Sequence, residues 1–317
     1  MTPTVLRLGT RGSPLALWQS RHVAARLHEL HPGLAVELVV LQTEGDQRQD
    51  RPIAISDERG VFVRRIEDEL LAGRIDLAVH SLKDLPTRQP EGLVIAAVPE
   101  RHDPHDALLT INGATWDELP VGSFLGTGSF RRRAQLLNAR PDLETVPVRG
   151  NVDTRVRKLL AGEFDGLVLA LAGVERLGIR SVVCRPLDFS VCLPAVGQGA
   201  LAIEIRADDR VTRGALKALN HAPSAQAVAA ERAFLRRLGG GCLAPVGAHA
   251  TIDGETLRLN AVVGDPDGKK LLRDAIVGGA DSGERHGEAL AARMIAAGAG
   301  EILQRAREDA LRGGPAQ

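Results

Sequence analysis

Apolar and polar positions change their period repeatedly along the first two thirds of the chain. Residues 5–8 read as a short strand, after which Ser13 and Pro14 supply an N-cap and a first-turn proline for a helix running to about residue 30. Residues 36–41 read as a second strand. In 60–72, Phe62, Val63, Ile66, Leu70 and Leu71 recur at helical spacing, and Gly73 should end that helix. Residues 76–80 predict a buried strand with a polar exit. Alternation of this kind predicts α/β layers around a mainly parallel sheet.

The pattern breaks at the proline-bracketed polar stretch 99–104, which marks a crossing into a second domain. A second α/β unit follows, with strands predicted at 121–125, 146–148 and 166–171 and helices at 129–139 and 151–161. The glycine-punctuated segment 194–199 then feeds a strand at 200–205, so the chain is expected to cross back and leave two lobes with a cleft between them. Beyond Pro223 the style changes: a capped helix at 224–238, a stop at 239–241, two strands around the turn 264–268 and one long helix at 282–311. The expected fold class is two α/β lobes plus a small α+β C-terminal domain. The expected division is 1–99 with 200–218, then 100–199, then 219–317.

Composition narrows the picture. At 317 residues with 44% hydrophobic side chains, the chain can fill two or three packed domains. Its 40 basic and 40 acidic residues cancel, and aromatic residues are only 3%, which argues against a nucleic-acid partner or an anionic membrane surface. Of the basic residues, only Lys83, Lys158, Lys217, Lys269 and Lys270 are lysine, so arginine abundance by itself proves nothing. The N-terminus lacks the pattern of an export signal and no long apolar stretch occurs, so a soluble cytoplasmic protein is expected. Cys184, Cys192 and Cys242 are spaced for neither a zinc ribbon nor a disulfide framework, and His102 and His105 lack further ligands, so no metal is expected. No exposed apolar helix demands a partner, and a monomer is expected.

Candidate chemistry gathers at strand-to-helix junctions. In Gly126-Thr127-Gly128-Ser129-Phe130-Arg131-Arg132-Arg133, a helix opens where unpaired N–H groups suit an anion. Arginines in that first turn oppose the helix dipole, which fits cations held for a ligand; a solvated basic face fits the same letters. Arg11 with Ser13, and Arg149 with Arg155, repeat the theme at two more junctions. Ligands of open α/β sheets bind beyond the carboxyl ends of strands, so a ligand with several carboxylates or phosphates is implied. In His80-Ser81-Leu82-Lys83-Asp84, the aspartate is either a surface ion pair with its neighbour or the lone carboxylate of a basic cavity. Cys242 follows three glycines, on a loop able to approach another domain; an incidental thiol is the other reading. Cys184 and Cys192 sit among apolar residues and read as inert, and Trp18 reads as packed within the first helix.

Five stretches, in order, resemble the porphobilinogen deaminases: 8–16, 76–87, 149–155, 193–200 and Gly240-Gly241-Cys242. The resemblance runs from about residue 6 to 250. It implies two lobes similar to periplasmic binding proteins and a third domain carrying a cysteine loop. It further implies a dipyrromethane cofactor bound to Cys242 as a thioether and built from the enzyme's own substrate. Porphobilinogen would be deaminated to an electrophilic azafulvene and joined to a growing chain, and water would release hydroxymethylbilane after four additions. Each ring adds two carboxylates, so the resemblance assigns cofactor contacts to Lys83, Ser81, Thr127, Ser129, Arg131, Arg132 and Arg155, and substrate contacts to Arg11, Ser13, Arg149, Arg155 and Arg176. Asp84 becomes the catalytic carboxylate. Leu243, Gly128 and the absence of Tyr depart from the family pattern. A two-lobed binding protein for a polycarboxylate is the competing class, against which the missing export signal and the thiol loop both count.

Overall fold

A computed structural model describes residues 5–41, 63–239 and 244–311. Its strands run in chain order as β1 (Val5–Arg11), β2 (Ala35–Leu41), β3 (Leu77–Ser81), β4 (Leu93–Ala97), β5 (Asp106–Thr110), β6 (Phe124–Gly126), β7 (Glu144–Val146), β8 (Gly166–Ala170), β9 (Val183–Pro186) and β10 (Leu201–Arg206). They form two five-stranded sheets of matching layout, ordered β2-β1-β3-β10-β4 and β7-β6-β8-β5-β9. Helices α1 (Pro14–Leu30) and α2 (Arg64–Leu71) flank the first sheet, and α3 (Phe130–Ala139), α4 (Val152–Leu160) and α5 (Leu171–Arg176) belong to the second. The compact units are Met1–His102 with Ala200–Ala225, and Asp103–Gly199 with Gln226–Gln317.

Local rules account for most of these elements. Ser13 caps α1 by accepting from the Ala16 N–H at 3.3 Å, with Pro14 in the first turn. The apolar stripe of α2 puts Ile66 and Leu70 against Ile75, Ala78 and Leu93, while α1 sets Val23 and Leu27 against Leu6, Leu8 and Leu77. The start of the predicted helix at 60–62 lies outside the described residues.

Each sheet is mainly parallel, as expected, with four of five strands running one way and one reversed. β10 runs antiparallel to β3 and β4, and β5 runs antiparallel to β8 and β9. Both odd strands follow a linker, and each enters its sheet at the carboxyl end of a parallel strand: Leu201 pairs with Ser81, and Asp106 with Ala170. Strands β4 and β9 escaped the sequence pattern because edge positions are only partly buried. Strand β5 escaped it because an aspartate heads a short, fully buried run.

The second unit also holds α7 (Ala222–Leu238) from Gln226 onward and an antiparallel sheet of β11 (Val246–Asp253), β12 (Thr256–Gly264) and β13 (Leu271–Gly279); α6 (Arg210–Leu216) precedes them in the first unit. The expected pair of strands is therefore a trio. The expected long C-terminal helix is two, α8 (Gly283–Ala296) and α9 (Ala299–Leu311), because Gly298 turns into the left-handed region at φ 98° and ends the first. Phe234, Ala230, Leu259 and Leu290 fill the core between sheet and helices. Among the described residues no helix is long and apolar enough to cross a membrane.

Helices α7 and α8 meet backbone to side: a Cβ on Gly287 would lie 2.3 Å from the Ala230 carbonyl oxygen and 2.9 Å from the Phe234 nitrogen. Gly287→Ala is therefore expected to destabilise the protein by about 1–3 kcal/mol through overpacking. Urea unfolding measures this, and an unchanged midpoint would show that α8 has room to shift.

Candidate active site

Strands β1 and β3 are parallel, so their carboxyl ends share one edge of the first sheet. Arg11 closes β1 and Ser13 follows it, both half-buried. Ser81 closes β3, and its hydroxyl accepts from Gln19 Nε2 of α1 at 2.9 Å. A single 3-10 turn, Leu82–Asp84, comes next. Leu82 and Leu85 are buried and pin the turn from both sides, and the Leu82 N–H donates to the Ala200 carbonyl at 3.0 Å. Lys83 is left half-buried and the Asp84 carboxylate exposed.

In the second lobe the parallel strands β6, β7 and β8 likewise end at one edge. Thr127 is buried directly after β6; its N–H donates to the Val146 carbonyl at 2.9 Å and its hydroxyl accepts from the Ser129 N–H at 3.3 Å. A Cβ on Gly128 would sit 2.7 Å from the Val148 carbonyl oxygen, so this loop closes on its neighbour only with glycine there. Ser129 caps α3 by accepting from the Arg132 N–H at 3.4 Å.

Arg131 and Arg132 are 4% and 5% exposed, which rules out a solvated basic face. Both turn inward onto one carboxylate: Arg131 Nη1 donates to Asp106 Oδ2 at 2.5 Å and Arg132 Nε to Asp106 Oδ1 at 2.9 Å. Backbone carbonyls complete the frame, with Arg131 reaching Leu193 at 2.7 Å and Arg132 reaching Val168 at 3.0 Å. Gln198 donates to Asp106 Oδ1 at 2.9 Å, and Cys192 donates its thiol to Oδ2 at 3.2 Å. Burial would push the Asp106 carboxyl up, but the two guanidinium charges outweigh it and hold the group far below the usual carboxylate range. Burial and then the Asp106 charge push the Cys192 thiol to about 12, so it stays a protonated donor, in keeping with an inert cysteine.

Arg176, at the end of α5, is 8% exposed, donates to the Gly199 carbonyl at 2.8 Å, and is pushed by burial down to about 10. Arg155 is half-buried, with Nε donating to the Gly150 carbonyl at 2.7 Å, and Arg149 is exposed. In the second lobe Thr127, Ser129, Arg131 and Arg132 thus follow β6, Arg149 and Arg155 follow β7, and Arg176 ends the helix after β8; in the first, Arg11, Ser13, Ser81, Lys83 and Asp84 lie at or just after the ends of β1 and β3. Cys242 and Leu243 lie outside the described residues. His105 stacks on Phe189 at 4.0 Å and pairs with Asp103, and no cluster of three metal-binding side chains occurs among the described residues.

Asp106, Gln198 and Gln19 were missed by sequence reasoning. The one signal for Asp106 was an acidic residue at the head of an apolar run, where a charge is kept only if it is paired. Two buried guanidiniums against one carboxylate leave a surplus positive charge. A group rich in carboxylates fits that surplus.

Fold and site together define a two-lobed α/β protein with buried arginines beside the strand ends of its second lobe. Residues 6–214 match the family described as "Porphobilinogen deaminase, dipyromethane cofactor binding domain", and residues 225–296 match "Porphobilinogen deaminase, C-terminal domain". The porphobilinogen deaminase of Trichlorobacter lovleyi is 49% identical over 96% of this chain and 97% of its own length. That of Pelotomaculum thermopropionicum is 47% identical over 97% and 98%. That of Geobacter sulfurreducens is 47% identical over 94% and 93%. The chain belongs to the porphobilinogen deaminase family. Among solved structures, the effector binding domain of a BenM variant aligns with a TM-score of 0.41 at 13% identity, covering 67% of this chain and 89% of that one, a likeness too slight to carry an argument.

Asp106→Asn leaves two buried guanidiniums without their shared counter-charge, and is expected to cost about 3–5 kcal/mol at neutral pH by urea unfolding. The folded carboxyl ionises below its ordinary 3.8, so its contribution is present above that value and lost as pH falls further. The gap between wild type and variant should therefore narrow below about pH 4. Equal stability at neutral pH would remove Asp106 from this role.

Proposed function

We propose that this protein is a cytoplasmic, monomeric transferase that condenses four molecules of porphobilinogen, with loss of ammonia, into hydroxymethylbilane. The observation that carries the reading is the surplus of buried positive charge at Arg131 and Arg132, in a chain related to porphobilinogen deaminases over nearly its whole length. When bound, the dipyrromethane cofactor, held as a thioether on Cys242, supplies the pyrrole α-carbon from which the chain grows. Arg131, Arg132 and Arg155, with Lys83, Ser81, Thr127 and Ser129, would hold its acid groups. Arg11, Ser13, Arg149, Arg155 and Arg176 take those of the incoming substrate. Arginine suits this work because its planar fork pairs with a carboxylate through two hydrogen bonds.

Asp84 carries the chemistry. As the C–N bond of the aminomethyl group breaks and ammonia departs, positive charge spreads over the substrate's pyrrole ring. The Asp84 carboxylate stabilises that charge, and it accepts and passes on the proton lost when the new carbon–carbon bond forms. At about 4 Å and an effective dielectric near 20, opposite unit charges gain about 4 kcal/mol, roughly a thousandfold in rate if realised only in the transition state. The 3-10 turn between Leu82 and Leu85 supports this role: it fixes the backbone while leaving the carboxylate open.

Intact-mass measurement of the active protein should exceed the mass of the chain by two linked pyrrole units, and Cys242→Ala should lack the adduct. Bare polypeptide in an active preparation would overturn the reading, and an adduct on Cys184 or Cys192 would move the attachment site. Asp84→Asn is expected to keep the adduct and the melting temperature but lose about a thousandfold in turnover. Rates near wild type would exclude Asp84 from the chemistry.

A further inference from the structure

The first lobe buries three ionisable side chains that the reaction above does not use. Glu204 of β10 is fully buried, His80 of β3 is 7% exposed and Glu67 of α2 is 9% exposed. They share one face of the sheet. Glu204 pairs with Ala78 in the β3–β10 register, Ala78 lies two residues before His80, and Ala78 packs against Ile66 and Leu70 of α2. His80 Nε2 stands 3.2 Å from Glu204 Oε2, at an angle that makes no regular hydrogen bond. Glu67 Oε1 and both Glu204 carboxylate oxygens also lack a hydrogen-bond partner among the described residues.

Two carboxylates and one imidazole at this depth cannot carry two negative charges cheaply. Burial, then the charge of Glu204, pushes Glu67 up to about 7; Asp68 on the same helix adds to the rise, while His80 from β3 and Arg64 from α2 oppose it. With a proton on Glu67, a single carboxylate faces the imidazole at ion-pair distance. The placement ties this trio to the active-site edge. His80 immediately precedes Ser81 and the turn bearing Lys83 and Asp84, and the strand that carries Glu204 starts opposite Ser81.

We propose that Glu67, His80 and Glu204 form a buried proton-holding cluster that positions the end of β3, and with it Ser81, Lys83 and Asp84, so that turnover falls when the cluster loses its proton. The activity half of this rests on the deaminase reading; the proton itself does not. These are positioning residues, since none is required to touch substrate. The folded-state proton affinity of Glu67 lies above the ordinary carboxyl value of 4.5, so its stabilising contribution is complete below that value and is lost as pH rises toward about 7.

The test is made on cofactor-loaded protein between about pH 5 and pH 9. In wild type, the infrared carbonyl band of a protonated buried carboxyl should disappear with a midpoint near 7, in step with an alkaline fall in kcat. Glu67→Gln keeps a neutral side chain at every pH, so the band should be absent and the alkaline fall should move up by at least about one pH unit. Its melting temperature relative to wild type should also rise from pH 5 to pH 8. Glu204→Gln removes the neighbouring charge, so the midpoint of the Glu67 band should drop; this variant decides the matter if Glu67→Gln fails to fold. An alkaline limb unmoved in Glu67→Gln, or no titrating band in wild type, overturns the proposal. A wild type that shows the band but makes no hydroxymethylbilane overturns the deaminase reading instead, and the band and melting data still decide whether the cluster holds a proton.

Discussion

A guanidinium withdrawn from water must find an answering charge and a full set of acceptors, and the second lobe is arranged around meeting that demand twice with one carboxylate. Asp106 opens β5, where a charge would ordinarily be expelled, and it is kept there by Arg131, Arg132, Gln198 and the Cys192 thiol. A buried ion pair contributes little net stability compared with an apolar filling, but removing one partner is costly. The arrangement is best understood as a way of holding arginines rigid. Side chains fixed in advance would lose little freedom on binding the carboxylates of the proposed ligand, and their surplus charge is already desolvated.

The segment 193–199 is what ties this charged cluster to its surroundings. Leu193 gives its carbonyl to Arg131 and Gln135; Gln198 bridges the Pro104 carbonyl and Asp106; Gly199 gives its carbonyl to Arg176. On its other side, fully buried Glu231 of α7 accepts from the N–H groups of Gly197 and Ala250, at 2.7 and 2.8 Å. Pro194 accepts from the Ala248 N–H at 3.0 Å, and a Cβ on Gly247 would lie 2.8 Å from the Leu193 carbonyl oxygen. One short stretch therefore links the arginine cluster to the three-stranded sheet. A shift in that sheet would reach the arginines through hydrogen bonds to the carbonyls of this segment.

The two lobes solve one geometric problem in the same way. Each gathers its polar side chains at the carboxyl ends of three parallel strands and admits the antiparallel crossing strand at that same edge. In the first lobe, this places the His80–Glu204 contact one residue from Ser81, so that contact and the turn bearing Asp84 are joined through two strands.

The sequence by itself determined the elements whose signals are local. The cap and proline at Ser13 and Pro14, the stripe of α2, the hydroxyl-led start of α3 and the stop after Leu238 all follow from spacing of a few residues. The ordered motifs carried the family, and with it every proposed site residue. Tertiary structure alone decided which charges are buried and what answers them. Asp106 is 25 residues from Arg131 and Gln198 is 92 from Asp106, distances over which periodicity says nothing. The same holds for the antiparallel entry of β5 and β10, for the edge strands β4 and β9, and for Glu67 meeting Glu204 across a helix and a sheet. Hydrophobic period reports which face of an element leaves water; only the packed fold reports which polar groups leave water with it.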